Sequence, residues 1–240
     1  MTKLTEQKLD RYEIKYRIRK EQLPSLIKYI LEFSHYDKFS ASAEDHYYYV
    51  HSLYFDSNTK KALNEKINGN VDRRKFRLGF YDYPISTLSI EVKNKFNHFT
   101  SKNRTLIPLE QASIKSLLSP PNSILENFSP EIQQGNDFFY FKHAYRLIPS
   151  TWVSYKRCAF VSNNNSDVRI TIDKEVVGAF YTNNEFNRKN MSSIYAGKSD
   201  DYAILEIKYK KALPFWVENF IRELNIRDMA ISKYAMSCAI

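Results

Sequence analysis

Glycine is scarce, at five residues in a chain of 240. That leaves little material for loops that cradle phosphates through backbone amides, and neither G-x-x-x-x-G-K-[ST] nor G-x-G-x-x-G occurs. P-loop and Rossmann nucleotide enzymes are excluded. Cysteine is scarcer still. Cys158 and Cys238 lie far apart without a pairing or ligand spacing, which argues against a disulfide scaffold or a zinc site and fits a reducing compartment. The five histidines (His35, His46, His51, His98 and His143) form no H-E-x-x-H. Long apolar runs are missing too: none approaches the ~18 residues of a membrane-spanning helix. The polar start, Met1 to Lys8, has no signal-peptide core. A cytoplasmic protein with no membrane segment in this chain is expected.

What the chain has in quantity is positive charge and aromatic rings. Lysine and arginine number 36 against 27 Asp+Glu, a formal charge of +9, and 15% of residues are Phe, Trp or Tyr. With 43% apolar residues the chain is long enough to bury a sizeable core, so disorder is a poor reading. No Pro-, Gly- or Ser-rich linker divides it convincingly. A single domain over 1–240 is expected.

Alternation at a period of two recurs along the chain. Residues 11–19 put Arg11, Glu13, Lys15, Arg17 and Arg19 on one strand face and Tyr12, Ile14, Tyr16 and Ile18 on the other. Further along, Arg73, Lys75 and Arg77 oppose Phe76, Leu78 and Phe80, and Glu91, Lys93 and Lys95 oppose Ile90 and Val92. Arg169, Thr171 and Asp173 oppose Val168, Ile170 and Ile172; Glu206, Lys208 and Lys210 oppose Leu205, Ile207 and Tyr209. Tyr155 and Arg157 add a further pair. Strands are expected at 11–19, 47–56, 73–82, 87–95, 102–107, 151–161, 167–173 and 202–210, with strand-like patterning resuming at Phe138. Helices are expected at about 23–31, 58–68 (closed by Gly69), 109–118, 216–224 and 231–238. The polar stretch 182–201 reads as a long loop.

A sheet face so rich in Lys and Arg repels itself unless something offsets it. Two like charges ~4 Å apart cost about 4 kcal/mol at an effective dielectric near 20. The plain alternative is a half-buried sheet whose charged face lies in water and whose Lys and Glu pair across strands. If instead the sheet closes with its apolar face outward under the helices, the cations line a wet tunnel matched to a chain of phosphates. This is an α+β fold: an antiparallel β-barrel tunnel of about eight strands with covering α-helices. Glu13, Glu91, Asp173 and Glu206 then read either as oxygen ligands for Mg²⁺ or Mn²⁺ shared with substrate phosphates, Glu206 foremost, or as lateral partners that orient the lysines.

The motifs resemble a known family. Arg-Tyr-Glu-Ile-Lys-Tyr (11–16), Ser-Leu-Tyr-Phe-Asp (52–56), Arg-Lys-Phe-Arg (74–77), Ile-Glu-Val-Lys (90–93) and Lys-Asn-Arg (102–104) occur in the order of the VTC (vacuolar transporter chaperone) polyphosphate polymerase domain. Tyr-Lys-Arg-Cys-Ala-Phe (155–160), Arg-Ile-Thr-Ile-Asp (169–173), Leu-Glu-Ile-Lys-Tyr (205–209) and Ser-Lys-Tyr (232–234) continue it. That family belongs to the triphosphate tunnel metalloenzymes. The resemblance implies a divalent-metal-dependent polyphosphate polymerase that moves the γ-phosphoryl group of ATP onto a polyphosphate chain. It implies Lys15, Arg77, Lys93, Arg157, Arg169, Lys208 and Lys233 as the catalytic cations. Arg11, Lys75, Lys95, Lys102, Arg104 and Tyr155 are expected as further phosphate contacts, with Mn²⁺ or Mg²⁺ expected at Glu206 and with Glu13, Glu91 and Asp173 as additional metal candidates. One position departs from the pattern: Gly79 stands where the family usually carries a second arginine.

Two other readings stay open. A tunnel triphosphatase or nucleoside triphosphatase uses the same site with water as acceptor. A non-enzymatic module that binds polyphosphate or nucleic acid accounts for the charge and the aromatics. Nucleic acid is not the expected partner, because Tyr12, Tyr16, Phe76 and Phe80 fall opposite the cations, where core packing explains them. ATP or another triphosphate, and polyphosphate, are. Truncating Lys93 or Arg157 is expected to leave the fold intact, because lumen cations repel one another.

Overall fold

In the computed structural model, residues 4–7, 12–81, 87–96, 99–108, 136–164, 167–182, 187–194 and 201–239 are described. In chain order these form β1 (Leu4–Gln7), β2 (Tyr12–Arg19), α1 (Leu23–Phe33), β3 (Ser34–Tyr36), α2 (Lys38–Ser42), β4 (Tyr48–Asp56), α3 (Lys61–Ile67), β5 (Asp72–Tyr81) and β6 (Thr87–Phe96). There follow β7 (Phe99–Pro108), α4 (Asp137–Ala144), β8 (Ile148–Ser162), β9 (Arg169–Phe180), β10 (Ser192–Ser193), β11 (Tyr202–Tyr209), α5 (Phe215–Glu223) and α6 (Lys233–Ser237).

All the ladders are antiparallel, and they join nine strands in the order β1-β7-β6-β5-β4-β8-β9-β11-β2, with β3 on β8 and β10 on β9. The sheet curls on itself. Lys93 Nζ on β6 reaches Glu13 Oε2 on β2 at 2.8 Å, although six ladders separate these strands in the path. The two ends of the path, β1 and β2, are consecutive in sequence with four residues between them, so the chain itself limits how far the barrel can open.

Period-two alternation decides which side faces in. The apolar face points outward and is roofed by helices. Ile18, Ile170, Ile172, Leu205 and Ile207 pack under α1 and α5 through Leu26, Ile30, Val217 and Phe220. Leu53, Phe76, Leu78, Ile90 and Val92 pack under α4 through Phe138 and Phe139. Ile90 and Val92 are fully buried, each worth about 1.5–3 kcal/mol relative to exposure. The roofing helices start where their sequences direct. Pro24 occupies the first turn of α1, where its missing N–H costs nothing, and Asn136 caps α4 through Phe138 N at 2.9 Å.

A third apolar group, including Tyr48, Tyr54, Val153, Tyr155, Ile204 and Tyr234, fills one part of the interior. The buried Asp56 carboxylate ties it together. It accepts from Ala62 N and Leu63 N at the start of α3 and from the Tyr234 hydroxyl of α6 at 2.6 Å. Gly69 has φ +70°, the left-handed turn that ends α3.

Most expected elements are present, with one correction. The patterning at Phe138 belongs to a helix, because Asn136 caps the segment and Phe138 and Phe139 bury themselves against the sheet rather than alternating. The helix expected at 109–118 lies outside the described residues. Within the expected loop 182–201, residues 187–194 carry a short 3₁₀ turn at Arg188–Asn190 and β10. No helix among the described residues is long and apolar enough to cross a membrane.

Candidate functional site

The inner face of the curl converges on one cavity of about 130 Å³. Its wall takes Glu13 and Lys15 from β2, Lys75 and Arg77 from β5, and Glu91 and Lys93 from β6. Lys102 comes from β7, Tyr155 and Arg157 from β8, Glu206 and Lys208 from β11, and Lys233 from α6. A second space of about 430 Å³ shares Glu13, Lys15, Lys75 and Lys93 with the first and adds Lys66, Arg73 and Lys95. Exposed Tyr12 and Met229 border it, so it is the mouth of the cavity.

Each carboxylate in the wall is held by cations. Glu91 takes Arg77 Nε at 2.6 Å, Lys102 Nζ at 2.7 Å and Arg104 Nε at 3.1 Å, from two neighbouring strands. Asp173 takes a two-pronged contact from Arg157, 2.6 and 2.8 Å, and a third from Lys233 Nζ. Glu13 is shared by Lys15 at 3.0 Å and Lys93 at 2.8 Å, and Glu206 by Lys208 at 2.6 Å. Burial works to raise the pKa of all four acids, yet the surrounding cations overcome it and hold every one below its ordinary range.

The lysines divide by their company. Burial pulls Lys15 down, but Glu206 and Glu13 reverse this and raise it. In Lys208 burial prevails over Glu206 and brings it to about 8. In Lys102 burial, with Arg77 and Arg104 alongside, prevails over Glu91 and brings it to about 7. Lys75 is lowered well below the usual value by burial and by its neighbours Lys15 and Lys93. Its Nζ donates to Ser232 Oγ at 2.8 Å. Among the described residues, Lys66, Arg73, Lys75 and Lys95 have no carboxylate within ion-pair distance.

The expected site residues are largely brought together. Lys15, Arg77, Lys93, Arg157, Lys208, Lys233, Lys75, Lys102, Tyr155, Glu206, Glu13 and Glu91 line the cavity, and Lys95 lines its mouth. Asp173 and Arg104 stand behind the wall as partners of Arg157 and Glu91. Arg169 goes elsewhere: its guanidinium donates to Asp37 Oδ2 at 2.7 Å, at the N-cap of α2, and is not part of the cavity wall. Arg11 lies outside the described residues. At Gly79 an added Cβ comes within 2.8 Å of Ser89 Oγ, which donates to the Gly79 carbonyl. An arginine there displaces Ser89. Lys75, two residues before Arg77 on the same face, is in the wall instead.

Sequence patterning did not single out Tyr54, Thr100 or Lys66. Lys66 rides on α3, where no alternation marks it. The Ser232 hydroxyl, beside Lys233, accepts from Lys75 and from Ala235 N, so it caps α6. Tyr12 does not sit in the core as expected. It is 47% exposed and stacks on Tyr209 at the mouth.

Two acids of the cavity wall, Glu13 and Glu206, are candidates to hold a hard divalent cation. Glu13 and Glu206 lie close enough for Glu206 to push the Glu13 pKa upward, and such ions bind through one or two carboxylates plus substrate oxygens. Glu91 and Asp173 are already saturated by arginine and lysine. No group of three or more His, Cys, Asp or Glu suited to a metal occurs among the described residues.

Comparison with known proteins agrees with this architecture. An adenylyl cyclase candidate from Hippeastrum, described as having a dominant triphosphatase activity, is similar in fold: TM-score 0.50, 14% identity, 95% of each chain covered. A candidate adenylate cyclase from Bacillus halodurans gives a TM-score of 0.52 at 12% identity over 92% of each chain. No curated protein matches the chain. The VTC domain family model, however, matches residues 10–240, and the chain belongs to the VTC domain family.

Proposed function

We propose that the protein is a triphosphate-handling enzyme that transfers the γ-phosphoryl group of ATP onto the end of a polyphosphate chain inside the cavity. The observation that carries this reading is the convergence of cations from β2, β5, β6, β7, β8, β11 and α6 on one space. At the mouth of that space Lys66, Arg73 and Lys95 have no carboxylate partner among the described residues, and positive charge concentrated in a confined space attracts a polyanion.

The chemistry needs little from the protein beyond position and charge. A terminal phosphate oxygen of the chain, already ionised, attacks the γ-phosphorus in line. The bond from that phosphorus to the β,γ-bridging oxygen breaks, and ADP leaves with the electron pair. No general base is required. Arg77 and Arg157, locked by Glu91 and Asp173, hold phosphate oxygens through rigid forks. Lys15, Lys93, Lys208 and Lys233 neutralise charge that spreads over the transferred group. Glu206 and Glu13 would hold Mn²⁺ or Mg²⁺, which would supply Lewis-acid stabilisation of phosphoryl charge.

Incubation with ATP and Mn²⁺ or Mg²⁺, with products resolved on a gel, tests the proposal. Long chains are the expected result, lost in Lys93→Ala. The fold relative from Hippeastrum favours a second reading, triphosphate hydrolysis at the same site. Orthophosphate without chains selects it and overturns synthesis.

A further inference from the structure

The mouth has two walls of different chemistry. One is cationic, made by Lys66, Arg73 and Lys95. The other is formed by Tyr12, Tyr209 and Met229, with the Asp228 carboxylate at its edge. Tyr12 and Tyr209 stack at 5.2 Å with 22° between their planes, and Tyr12 remains 47% exposed. Met229 is 48% exposed, although its backbone N–H is fixed to Lys15 O at 2.7 Å. Asp228 forms a backbone bridge with Tyr16, and its carboxylate makes no ion pair among the described residues.

A bare phosphate chain gains nothing from exposed rings and a thioether, and a neighbouring carboxylate repels it. A nucleoside uses all three: the base stacks on an aromatic ring or a polarisable sulfur, and the sugar hydroxyls donate to a carboxylate. The space of about 430 Å³ lies in the range of small-molecule pockets and opens directly onto the cation-lined cavity across Lys15 and Lys75. We infer that Tyr12, Met229 and Asp228 form a nucleoside site at the mouth. It holds the base and ribose of a nucleoside triphosphate whose phosphates extend past Lys66, Arg73 and Lys95 into the cavity.

This inference rests on the phosphate-binding reading of the cavity, and calorimetry with two ligands separates the two. Affinities for ATP and for inorganic tripolyphosphate are measured in the same buffer and salt for wild type, Tyr12→Ala, Tyr12→Phe and Met229→Ala. In Tyr12→Ala, ATP is expected to weaken about tenfold, the scale of one lost stacking contact. Tripolyphosphate should stay within about twofold, and Tyr12→Phe should behave as wild type. Met229→Ala, at an exposed side chain, carries the same test should Tyr12→Ala fold poorly. Equal losses for both ligands, or none for either, overturn the nucleoside site and leave the phosphate reading standing. A loss confined to long-chain polyphosphate also overturns it, giving the wall to the chain. Wild-type binding to neither ligand removes the phosphate reading and this site with it.

Discussion

In and just behind the cavity wall, Glu13, Glu91, Asp173 and Glu206 each sit in ion pairs, some within one strand, as Glu206 with Lys208, and some across strands, as Glu91 with Arg77. At the mouth, Lys66, Arg73 and Lys95 have no such partner among the described residues. The two regions carry the same sign of charge for different ends. In the cavity, carboxylates fix the forks and ammonium groups in place, so repulsion is offset before any ligand arrives. At the mouth, no carboxylate among the described residues lies within ion-pair distance of these three cations. Pairing therefore makes the inner cations part of the fold, whereas the outer ones can be removed without loss of structure. Measurements on single variants break or sharpen this distinction.

The largest effect is expected at Arg157. Its guanidinium is the two-pronged partner of Asp173, which is fully buried. Arg157→Ala leaves that charge with Lys233 alone and should cost about 3–5 kcal/mol in denaturant unfolding, a drop of roughly 10 °C in Tm. The expectation that both Lys93 and Arg157 can be truncated with the fold intact thus holds only where partners remain. Lys93 is 36% exposed and Glu13 keeps Lys15 after its loss, so Lys93→Ala should unfold close to wild type. Equal destabilisation in the two variants defeats the distinction.

Next comes Tyr234→Phe, which deletes a hydrogen bond to the buried Asp56 carboxylate at a cost of about 1.5–3 kcal/mol. Because α6 also carries Lys233 and Ser232 into the cavity, KM for ATP should rise with it. Arg73→Ala and Lys95→Ala should change stability by less than about 0.5 kcal/mol. Each should weaken tripolyphosphate about tenfold, the worth of one charge-assisted hydrogen bond, and flatten the dependence of affinity on salt. A stability loss like that of Arg157→Ala makes the mouth cations structural after all.

Sequence patterning reached far into this arrangement because the side-chain period of a strand is two. Once Glu13 and Lys15 share a face, every alternate residue of β2 follows, and the same holds for Lys75 and Arg77 or Glu206 and Lys208. Alternation reports a face but not a partner. Arg169 has the parity of Asp173, yet it turns to Asp37, a residue of α2's cap that no strand pattern connects to it. Helices hide their contribution in another way. Lys66 reaches the mouth from α3, and Phe138 to Phe141, an aromatic run with strand propensity, folds as α4 because Asn136 caps it and the sheet offers a surface to cover. At a strand end alternation also loses its meaning, which is why Tyr12 stands at the mouth instead of in the core.

A pH titration probes the comparison most finely, through Lys102. Burial, with Arg77 and Arg104 beside it, brings this lysine to about 7 even though Glu91 lies 2.7 Å away. In the unfolded chain it titrates near the ordinary lysine value, about 10.4. Between those two pH values the unfolded state binds more protons than the folded one, so the contribution of Lys102 to stability rises with pH across that window. Affinity runs the opposite way. Below about pH 7 the ammonium is present and available to a phosphate oxygen; above it the charge is lost, and tripolyphosphate binding should weaken severalfold between pH 7 and 9. Lys102→Arg keeps the charge throughout and should flatten this part of the profile. Lys208, at about 8, titrates in the same window, so an undiminished pH dependence in Lys102→Arg assigns the titration to that neighbour and removes Lys102 from the phosphate contacts.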